Sequence, residues 1–262
     1  MRLRPGPDPQ FPYLTEYHRF DFPPPEESPD WVIAIGGNLS PGMLLSAYEQ
    51  GLFPWYNQED PILWQSPDPR FVIFPEKLHV SASMEKILRQ EIFTFALDRD
   101  FTGVIRGCGT IDRPGQGGTW ITEDIIAAYG ELHRLGWAHS AESYRDGELA
   151  GGCYGVRLGN AFIGESMFAR SPNASKAAFL QLAKTLFADG VSFIDCQVHT
   201  DHLESLGGEE ISRKEYLKLL KEALAVRGEG DQDATDRRGN WGERYGLVYT
   251  QFSPCLPGQK NN

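Results

Sequence analysis

The stretch that decides the fold runs from residue 138 to residue 169 and reads AHSAESYRDGELAGGCYGVRLGNAFIGESMFA. Three runs of strand-favouring residues are separated by the pairs Asp146-Gly147 and Gly159-Asn160. Such pairs are typical of the two-residue turns of β-hairpins. The segment therefore predicts an antiparallel meander of three strands.

The chain that follows the meander alternates between helix and strand signals. Apolar residues recur there at the spacing of an amphipathic helix, namely at Phe179, Leu182, Ala183, Leu186 and Phe187. The run VSFIDCQV (191–198) predicts a strand, and Ser212 with Glu215 predicts the capping box of a last helix. Antiparallel strands followed by helix, strand and helix indicate an α+β fold with helices packed on a mostly antiparallel sheet.

The chain that precedes the meander differs in composition. Residues 1–30 hold eight prolines, which fix φ and remove backbone donors, so they predict an extended lead-in. A proline-broken aromatic stretch continues to about residue 70. We therefore expect a small N-terminal domain over residues 1–70, a larger domain over 71–226, and a linker with a docking C-terminal tail over 227–262.

The charge of the chain limits its partners. With 36 acidic and 25 basic side chains among 262 residues, the formal net charge is -11 and the pI about 5.0. This argues against charge-driven coating of nucleic acid or anionic lipid. Segment 71–120 is balanced, however, and Lys86 and Arg89 lie three residues apart on one predicted helix face. A local phosphate-binding surface would use the cations of this segment: Lys77, Lys86, Arg89, Arg99, Arg106 and Arg113.

Cysteine and histidine positions indicate neither disulfides nor a metal site. The four cysteines are scattered without a CxxC pair, which suits a reducing compartment. His199 and His202 are three residues apart, but two residues do not make a metal site. No apolar run approaches the length of a membrane helix and no secretory signal is evident. We expect a cytoplasmic protein without a metal, a cofactor or a membrane partner.

The strand at 191–198 carries polar residues that can do chemistry. A period of two places Asp195, Gln197 and His199 on one face and Cys196 and Val198 on the other. An acid in this largely apolar strand is unfavourable unless something pairs with it. The residues alone leave two interpretations open: a satisfied buried Asp-Gln pair, or a pair that grips a ligand group.

A second carboxylate lies in the third strand of the meander. Glu165 projects from an otherwise apolar run beside Phe162 and Met167. A carboxylate in an apolar wall suits a cationic ligand, and the alternative is an Arg or Lys partner within the fold. Trp55 and Trp120 follow a proline and a glycine-rich loop, where an indole can stack on a base, although most tryptophans are core residues.

Several motifs together resemble a known family. They include GTWITEDIIAAYGELHRLGWAHS, GELAGGCYGV, GESMFARSPNASKAA and IDCQVHTDHLESLGG. In this order, across about residues 31–220, they resemble the bacterial leucyl/phenylalanyl-tRNA–protein transferases. The resemblance implies a small N-terminal domain, and a C-terminal domain like the GNAT acyltransferases that uses no acetyl-CoA.

The activity implied by the resemblance is aminolysis of an ester. Leucine or phenylalanine, with methionine as a further candidate, moves from aminoacyl-tRNA (Leu-tRNA, Phe-tRNA) to the N-terminal Arg or Lys of a protein. The product is an N-degron of the N-end rule. The partners are thus aminoacyl-tRNA and acceptor proteins, and we expect a monomer.

The resemblance also assigns roles to positions in this sequence. It makes Asp195 and Gln197 catalytic, as the residues that orient the attacking amine and assist proton movement. Glu165 would face the cationic side chain of the acceptor. The remaining assignments are an aminoacyl pocket of Phe162, Met167 and Cys153, and tRNA contacts by Trp55, Trp120, Lys86 and Arg89.

Two departures from the family pattern and two alternatives accompany this hypothesis. Glu85 and Glu91 add negative charge to the segment that carries Lys86 and Arg89. Cys153 stands where a larger apolar residue can occur. A non-catalytic N-degron-binding protein would keep Glu165 but lack transfer. A small-molecule N-acyltransferase would need a pyrophosphate-binding loop, and the sequence lacks the glycine pattern of one.

Overall fold

A computed structural model describes residues 4–110 and 119–225, which form ten strands and seven α-helices. The strands are β1 (Val32–Ile35), β2 (Phe53–Pro54), β3 (Leu63–Gln65), β4 (Arg70–Ile73), β5 (Thr94–Leu97), β6 (Ala138–Arg145), β7 (Glu148–Leu158), β8 (Ala161–Ala169), β9 (Phe193–Gln197) and β10 (Glu209–Ile211). The helices are α1 (Pro41–Glu49), α2 (Ala82–Arg89), α3 (Phe101–Gly109), α4 (Glu123–Arg134), α5 (Ala174–Ala188), α6 (Asp201–Glu204) and α7 (Arg213–Ala225).

The predicted meander is confirmed as strands β6, β7 and β8. Asp146 and Gly147 both adopt positive φ, of 53° and 84°, which a two-residue hairpin turn of type I′ requires. Adjacent strands pair antiparallel along most of their length. The meander thereby forms three adjacent strands of the large sheet.

The large sheet has seven strands in the order β10-β4-β9-β8-β7-β6-β5. Its pairings are antiparallel except for β8 with β9, which run parallel. A smaller antiparallel sheet, β1-β3-β2, is built from residues before β4. The predicted α+β fold with a mostly antiparallel sheet is therefore confirmed.

Helices cover both faces of the large sheet. Neighbouring residues of β8 show this arrangement, because Phe162 belongs to one buried cluster and Ile163 to the other. The first cluster includes residues of α2 and α5, and the second includes residues of α1, α3, α4 and α7. Residues of the small sheet, such as Trp64, belong to the second cluster, so that core is continuous from the small sheet to the large one.

Side-chain caps set the starts of several helices. Ser81 accepts a hydrogen bond from the backbone of Met84, and Thr122 accepts one from Ile125. Ser212 accepts one from the backbone of Glu215 before α7. The helix start expected at Ser212 is confirmed, whereas the expected linker and tail at 227–262 lie outside the described residues, as does Arg113.

Candidate active site

A cavity of about 690 Å³ opens where β8 and β9 separate. The two strands pair in parallel only from Ala161 with Phe193 to Ile163 with Asp195. Beyond that point, residues of both strands line the cavity, together with residues of β7 and α5. We call this space the fork cavity, because the sheet itself divides to form it.

One side of the fork cavity is apolar. It is lined by aliphatic, aromatic and sulfur-containing side chains: Cys153, Phe162, Met167, Phe168, Phe179 and Leu182. Burial raises the pKa of the Cys153 thiol well above its usual range, so this side chain remains neutral and behaves as a small hydrophobe. The structure therefore brings the three predicted pocket residues together in one wall that suits an apolar side chain.

Behind the cavity lies a buried ion pair between Asp195 and Arg70. Arg70 Nε donates to Asp195 Oδ1 at 2.9 Å, and its Nη2 donates to Oδ2 at 2.6 Å. The Tyr216 hydroxyl donates to Oδ2 at 2.8 Å, and the Gln197 backbone N–H donates to Oδ1 at 2.8 Å. We call Asp195, Arg70 and Tyr216 the carboxylate core.

The carboxylate of Asp195 has no remaining acceptor site for a substrate. A carboxylate offers about four lone-pair positions, and four protein donors occupy them. Asp195 is completely buried, and it is not among the described residues that line the fork cavity. Its contact with the cavity runs instead through the backbone of Gln197.

Arg70 is held as firmly as its partner. Its guanidinium lies 4.3 Å from the ring centre of Tyr216 and 4.9 Å from that of Phe53, and it also donates to the Gly51 carbonyl. Burial acts to lower the pKa of Arg70, but the charge of Asp195 overrides this and raises it. Arg70 is thus a fixed positive charge inside the protein.

Gln197 marks the end of strand alternation in β9. Its φ of 67° lies in the left-handed region, and its N–H bonds to the side chain two residues earlier. As a result Cys196, Gln197, Val198 and His199 all line the fork cavity. The expectation that Asp195, Gln197 and His199 share one face opposite Cys196 and Val198 is therefore wrong, because the backbone turns at Gln197.

Glu165 lies on the wall of the fork cavity among neutral donors. The Tyr48 hydroxyl donates to its Oε1 at 2.7 Å, the Tyr129 hydroxyl to its Oε2 at 3.0 Å, and Gln197 Nε2 to Oε1 at 3.0 Å. The two tyrosine hydroxyls also contact each other. We call Glu165, Tyr48 and Tyr129 the tyrosine ring. The alternative of an Arg or Lys partner bonded to Glu165 is wrong, since its donors carry no charge.

The surroundings of Glu165 raise its pKa to about 7. Burial is the main cause, and the nearby charge of Asp195 acts in the same direction. Hydrogen bonds from Tyr48 and Tyr129 and the charge of Arg70 partly offset the rise. Glu165 therefore titrates near neutral pH, at a position that lines the cavity.

The structure brings seven of the ten predicted site residues to the fork cavity, while Asp195, Lys86 and Arg89 do not line it. Trp55 and Trp120, both partly buried, line the same cavity as Glu165 and Gln197. Lys86 and Arg89 are exposed on α2, where Arg89 pairs with Glu85 at 3.0 Å. Other cations of segment 71–120 also have partners, since Lys77 pairs with Glu209, Arg106 with Glu123, and Arg99 lies over Tyr144.

Side chains with the geometry of a metal site occur once in the described part of the chain. The potential ligand atoms of His199, Asp201 and Glu204 lie within 4.8 Å of one another, and all three residues are exposed. This group was not predicted from the sequence; its two acids belong to the short helix α6. Exposed acidic groups are common without an ion, so this group assigns no cofactor.

Sequence reasoning missed Arg70, Tyr216, Tyr48 and Tyr129. Arg70 carried a usable signal, because a cation at the start of the apolar run RFVIF is a natural partner for an acid in another apolar strand. Tyr216 of α7 and Tyr129 of α4 lie on the buried faces of their helices, where an aromatic residue is expected for packing alone. Their hydroxyl groups point to a role only once the folded chain brings them to the carboxylates.

An apolar pocket beside a wall with a carboxylate and a carboxamide can hold an apolar acyl group next to an amine. Such a cavity has the geometry that an enzyme transferring an acyl group to an amine requires. The comparisons with known proteins specify this class further. Profiles described as "Leucyl/phenylalanyl-tRNA protein transferase" and as its N-terminal domain match residues 72–221 and 37–68.

Curated relatives agree with the profiles. A leucyl/phenylalanyl-tRNA–protein transferase of Myxococcus xanthus (strain DK1622) is 48% identical over 231 residues, which are 88% of this chain and 95% of the relative. One of Anaeromyxobacter sp. (strain Fw109-5) is 52% identical over 220 residues, 82% of this chain and 94% of the relative. The chain belongs to the leucyl/phenylalanyl-tRNA–protein transferase family, a family of aminoacyltransferases.

Solved structures with a similar arrangement include a GCN5-related N-acetyltransferase from Kribbella flavida. It is 11% identical, with 66% of this chain and 62% of that chain covered and a TM-score of 0.36. A likeness this distant carries no argument about activity. Within residues 4–110 and 119–225, no helix combines the length and hydrophobicity needed to cross a membrane.

Proposed function

We propose that this protein transfers leucine or phenylalanine from aminoacyl-tRNA to the N-terminal Arg or Lys of acceptor proteins. The observation that carries the proposal is the fork cavity, in which an apolar wall adjoins Glu165 and Gln197. The family name supports the same donor and reaction. It does not favour a non-catalytic binder or a small-molecule N-acyltransferase.

The apolar wall receives the side chain of the transferred amino acid. Phe162 and Met167 offer apolar surface without charge, and Cys153 occupies less volume than a branched aliphatic residue would. A difference of one methyl or methylene group in such a pocket is worth about 1–3 kcal/mol. We infer that leucine, phenylalanine and methionine are all accepted, with Cys153 favouring the larger side chains.

Gln197 positions the attacking amine. Its Nε2 is engaged by Glu165, so its Oε1 is directed to accept a hydrogen bond from the α-amino group of the acceptor. Asp195 is a positioning residue in this proposal, since it accepts a hydrogen bond from the Gln197 backbone N–H. Together with the three bonds from Arg70 and Tyr216, this leaves Asp195 no acceptor site for the substrate. Placement of this kind raises the rate because the reacting atoms no longer have to find each other.

The reaction makes one amide bond and breaks one ester bond. The amine nitrogen attacks the ester carbonyl carbon, and the ribose oxygen leaves with its electron pair and takes up a proton. An α-ammonium group, with a pKa of about 7.7–8.0, loses one proton before it attacks and a second as the amide forms. One of these protons goes to the ribose oxygen and the other reaches solvent.

Glu165 provides negative charge for the cationic acceptor residue. It lies on the cavity wall near the proposed amine position, and Arg or Lys at the acceptor N-terminus brings a side-chain cation in addition to the ammonium. A hydrogen bond to a charged group is worth about 1.5–3 kcal/mol. That range is enough to select basic N-termini over neutral ones.

The tRNA contacts in this proposal are few. Trp55 and Trp120 would stack on or flank the terminal adenosine, where stacking is worth about 1–3 kcal/mol per base. Lys86 and Arg89 would meet phosphates from the exposed side of α2. A few such cations are compatible with the net charge of -11, because most of the tRNA then lies outside the contact.

The proposal also concerns organisation and setting. We infer a small N-terminal domain up to residue 70 that contributes Trp55, and a catalytic domain over 71–226. The enzyme acts as a monomer in the cytoplasm, where aminoacyl-tRNA and newly made proteins meet.

The decisive experiment mixes the purified protein with Leu-tRNA and a peptide that begins with Arg, followed by mass spectrometry of the peptide. We expect a mass gain of one leucyl residue, and no gain for the same peptide with a blocked N-terminus. An unchanged mass with Leu-tRNA and with Phe-tRNA contradicts the proposal. Acetyl-CoA in place of aminoacyl-tRNA is the control for a small-molecule acyltransferase.

Two variants test the division of roles. Asp195→Ala is expected to reduce transfer strongly, because Gln197 loses its backbone anchor. Glu165→Ala is expected chiefly to raise KM for Arg-initiated peptides. Equal use of those peptides by Glu165→Ala and the wild type would refute the assigned acceptor contact.

A further inference from the structure

The tyrosine ring has more contacts than its hydroxyl groups can serve. Tyr48 contacts Glu165 Oε1, Tyr129 contacts Oε2, and the two hydroxyl oxygens contact each other, which closes a cycle of three hydrogen-bond positions. Each tyrosine supplies one hydrogen. With Glu165 ionised, two hydrogens serve three contacts, and one pair of oxygens has no hydrogen between it.

A third hydrogen on Glu165 completes the cycle. Oε1 already accepts from Gln197 Nε2, so the added hydrogen belongs on Oε2. In this protonated form the bond between Oε2 and Tyr129 is reversed from the direction given above for the ionised carboxylate: Oε2 donates to Tyr129, Tyr129 donates to Tyr48, and Tyr48 donates to Oε1. Every contact in the ring is then satisfied.

We propose that Glu165 holds this hydrogen in the free protein, and that the cationic N-terminus of the acceptor displaces it on binding. Tyr48 and Tyr129 thereby become determinants of acceptor binding that act by controlling the charge of Glu165. The inference rests on the proposed function for the identity of the acceptor. It adds the exchange of a proton for the acceptor's cation.

The exchange balances in atoms and charge. The Oε2–H bond of Glu165 breaks, its electron pair stays on the carboxylate, and the proton passes to the buffer. An ammonium or guanidinium group takes the place of that charge at the cavity wall. Both tyrosines then donate to the carboxylate, and their mutual contact opens, because no hydrogen is left for it.

The groups around the ring favour Glu165 as the source of the proton. Burial raises the pKa values of Tyr48 and Tyr129 well above 10, whereas that of Glu165 is about 7. Titratable and charged groups face the ring from the strands and helices around it: Tyr48 of α1, Tyr129 of α4, Tyr154 of β7, Asp195 of β9 and Arg70 of β4. Asp195 and Arg70 form an ion pair with each other.

The test measures protons released when an Arg-initiated peptide binds, without tRNA. Isothermal titration calorimetry at pH 6 in two buffers of different ionisation enthalpy gives this number. At this pH the α-ammonium of the peptide is already charged and contributes little. We expect about one proton released per peptide for the wild type and none for Glu165→Gln. Equal heats in the two buffers for the wild type would overturn the inference.

A second comparison tests the tyrosines themselves. Tyr48→Phe and Tyr129→Phe each remove a donor that stabilises the carboxylate, so the pH at which proton release is half complete should rise by about one unit. Tyr144→Phe is the matched control, because Tyr144 is buried on β6 and is not among the described lining residues. If the pH of half-complete proton release is unchanged in both Tyr48→Phe and Tyr129→Phe, these tyrosines do not control the charge of Glu165.

The two levels of proposal can fail separately. Transfer from Leu-tRNA to the peptide without proton release on peptide binding would refute the exchange and leave the proposed function intact. Proton release that depends on Glu165, without transfer from Leu-tRNA or Phe-tRNA, would refute the proposed function and leave the exchange intact.

Discussion

Two carboxylates on neighbouring strands occupy opposite environments. Asp195 in the carboxylate core is paired with Arg70 and saturated by four donors, whereas Glu165 in the tyrosine ring has only neutral donors and lies on the cavity wall. Gln197 connects them, since its backbone bonds to Asp195 and its side chain to Glu165. The same functional group is thus half of a buried ion pair in one place and is bound by neutral donors in the other.

The difference lies in the counter-charge. A buried carboxylate with a bidentate guanidinium partner has its charge compensated. Removal of either partner leaves the charge of the other uncompensated. A buried carboxylate with hydroxyl donors is stabilised less, so its pKa rises toward neutral pH. An enzyme that binds a cation needs the second kind at the wall and can use the first kind to hold the wall in place.

The largest effect on stability is expected when the ion pair of the carboxylate core is broken. Arg70→Met should lower the free energy of unfolding by about 3–5 kcal/mol, because Asp195 then lies buried without its counter-charge. Urea unfolding monitored by tryptophan fluorescence measures this. Arg106→Met is the control, since its pair with Glu123 is exposed and should be worth about 1 kcal/mol or less. Similar losses in the free energy of unfolding in the two variants would show that the Arg70–Asp195 pair stabilises the fold no more than an exposed pair.

The next effect is a pH dependence assigned to Glu165. Its pKa is about 7 in the folded protein and about 4.5 in the unfolded chain, so its stabilising contribution is complete below pH 4.5 and disappears as pH rises through 7. From pH 5 to pH 8, the wild type should therefore lose about 2–3 kcal/mol of stability relative to Glu165→Gln.

Unfolding in urea at the two pH values measures this difference. Glu142, whose pKa burial also raises to about 7, is present in both proteins and cancels. Glu210→Gln is the control, because Glu210 is exposed and should show no such difference from the wild type. A constant gap between the wild type and Glu165→Gln across this range would show that Glu165 does not titrate there.

The smallest effect separates the two kinds of tyrosine. Tyr216→Phe removes one of four donors to Asp195 and should cost about 1 kcal/mol, without a shift in the pH dependence of acceptor binding. Tyr48→Phe should shift that pH dependence upward. Fluorescence titration of a labelled Arg-initiated peptide between pH 5.5 and 8 measures both. If Tyr216→Phe shifts the pH dependence of acceptor binding as much as Tyr48→Phe does, the carboxylate core and the tyrosine ring influence acceptor binding alike.

The sequence predicted those parts of the molecule whose signals are local. The meander follows from turn pairs such as Asp146-Gly147, which need φ values that few other residues adopt. The helix start at Ser212 follows from short-range capping. The three pocket residues and both carboxylates were also selected, partly by resemblance to a family.

The remaining features depend on contacts between distant parts of the chain. Arg70 and Asp195 are 125 positions apart, and Tyr48 and Glu165 are 117 apart, so no local pattern pairs them. The face of Gln197 was predicted wrongly because strand alternation assumes regular φ. Gln197 has a left-handed φ, and its backbone N–H bonds to the Asp195 side chain. The regular alternation of the strand therefore ends at Gln197 itself.

The division of the sheet at β8 and β9 has a thermodynamic consequence for binding. Much of the lining of the fork cavity comes from β7, β8, β9 and α5, elements whose side chains also belong to a buried core cluster. Little chain entropy is then left to lose when the acyl group enters. Binding of an aminoacyl analogue should accordingly show a heat-capacity change set by buried apolar area, with no added contribution from local folding.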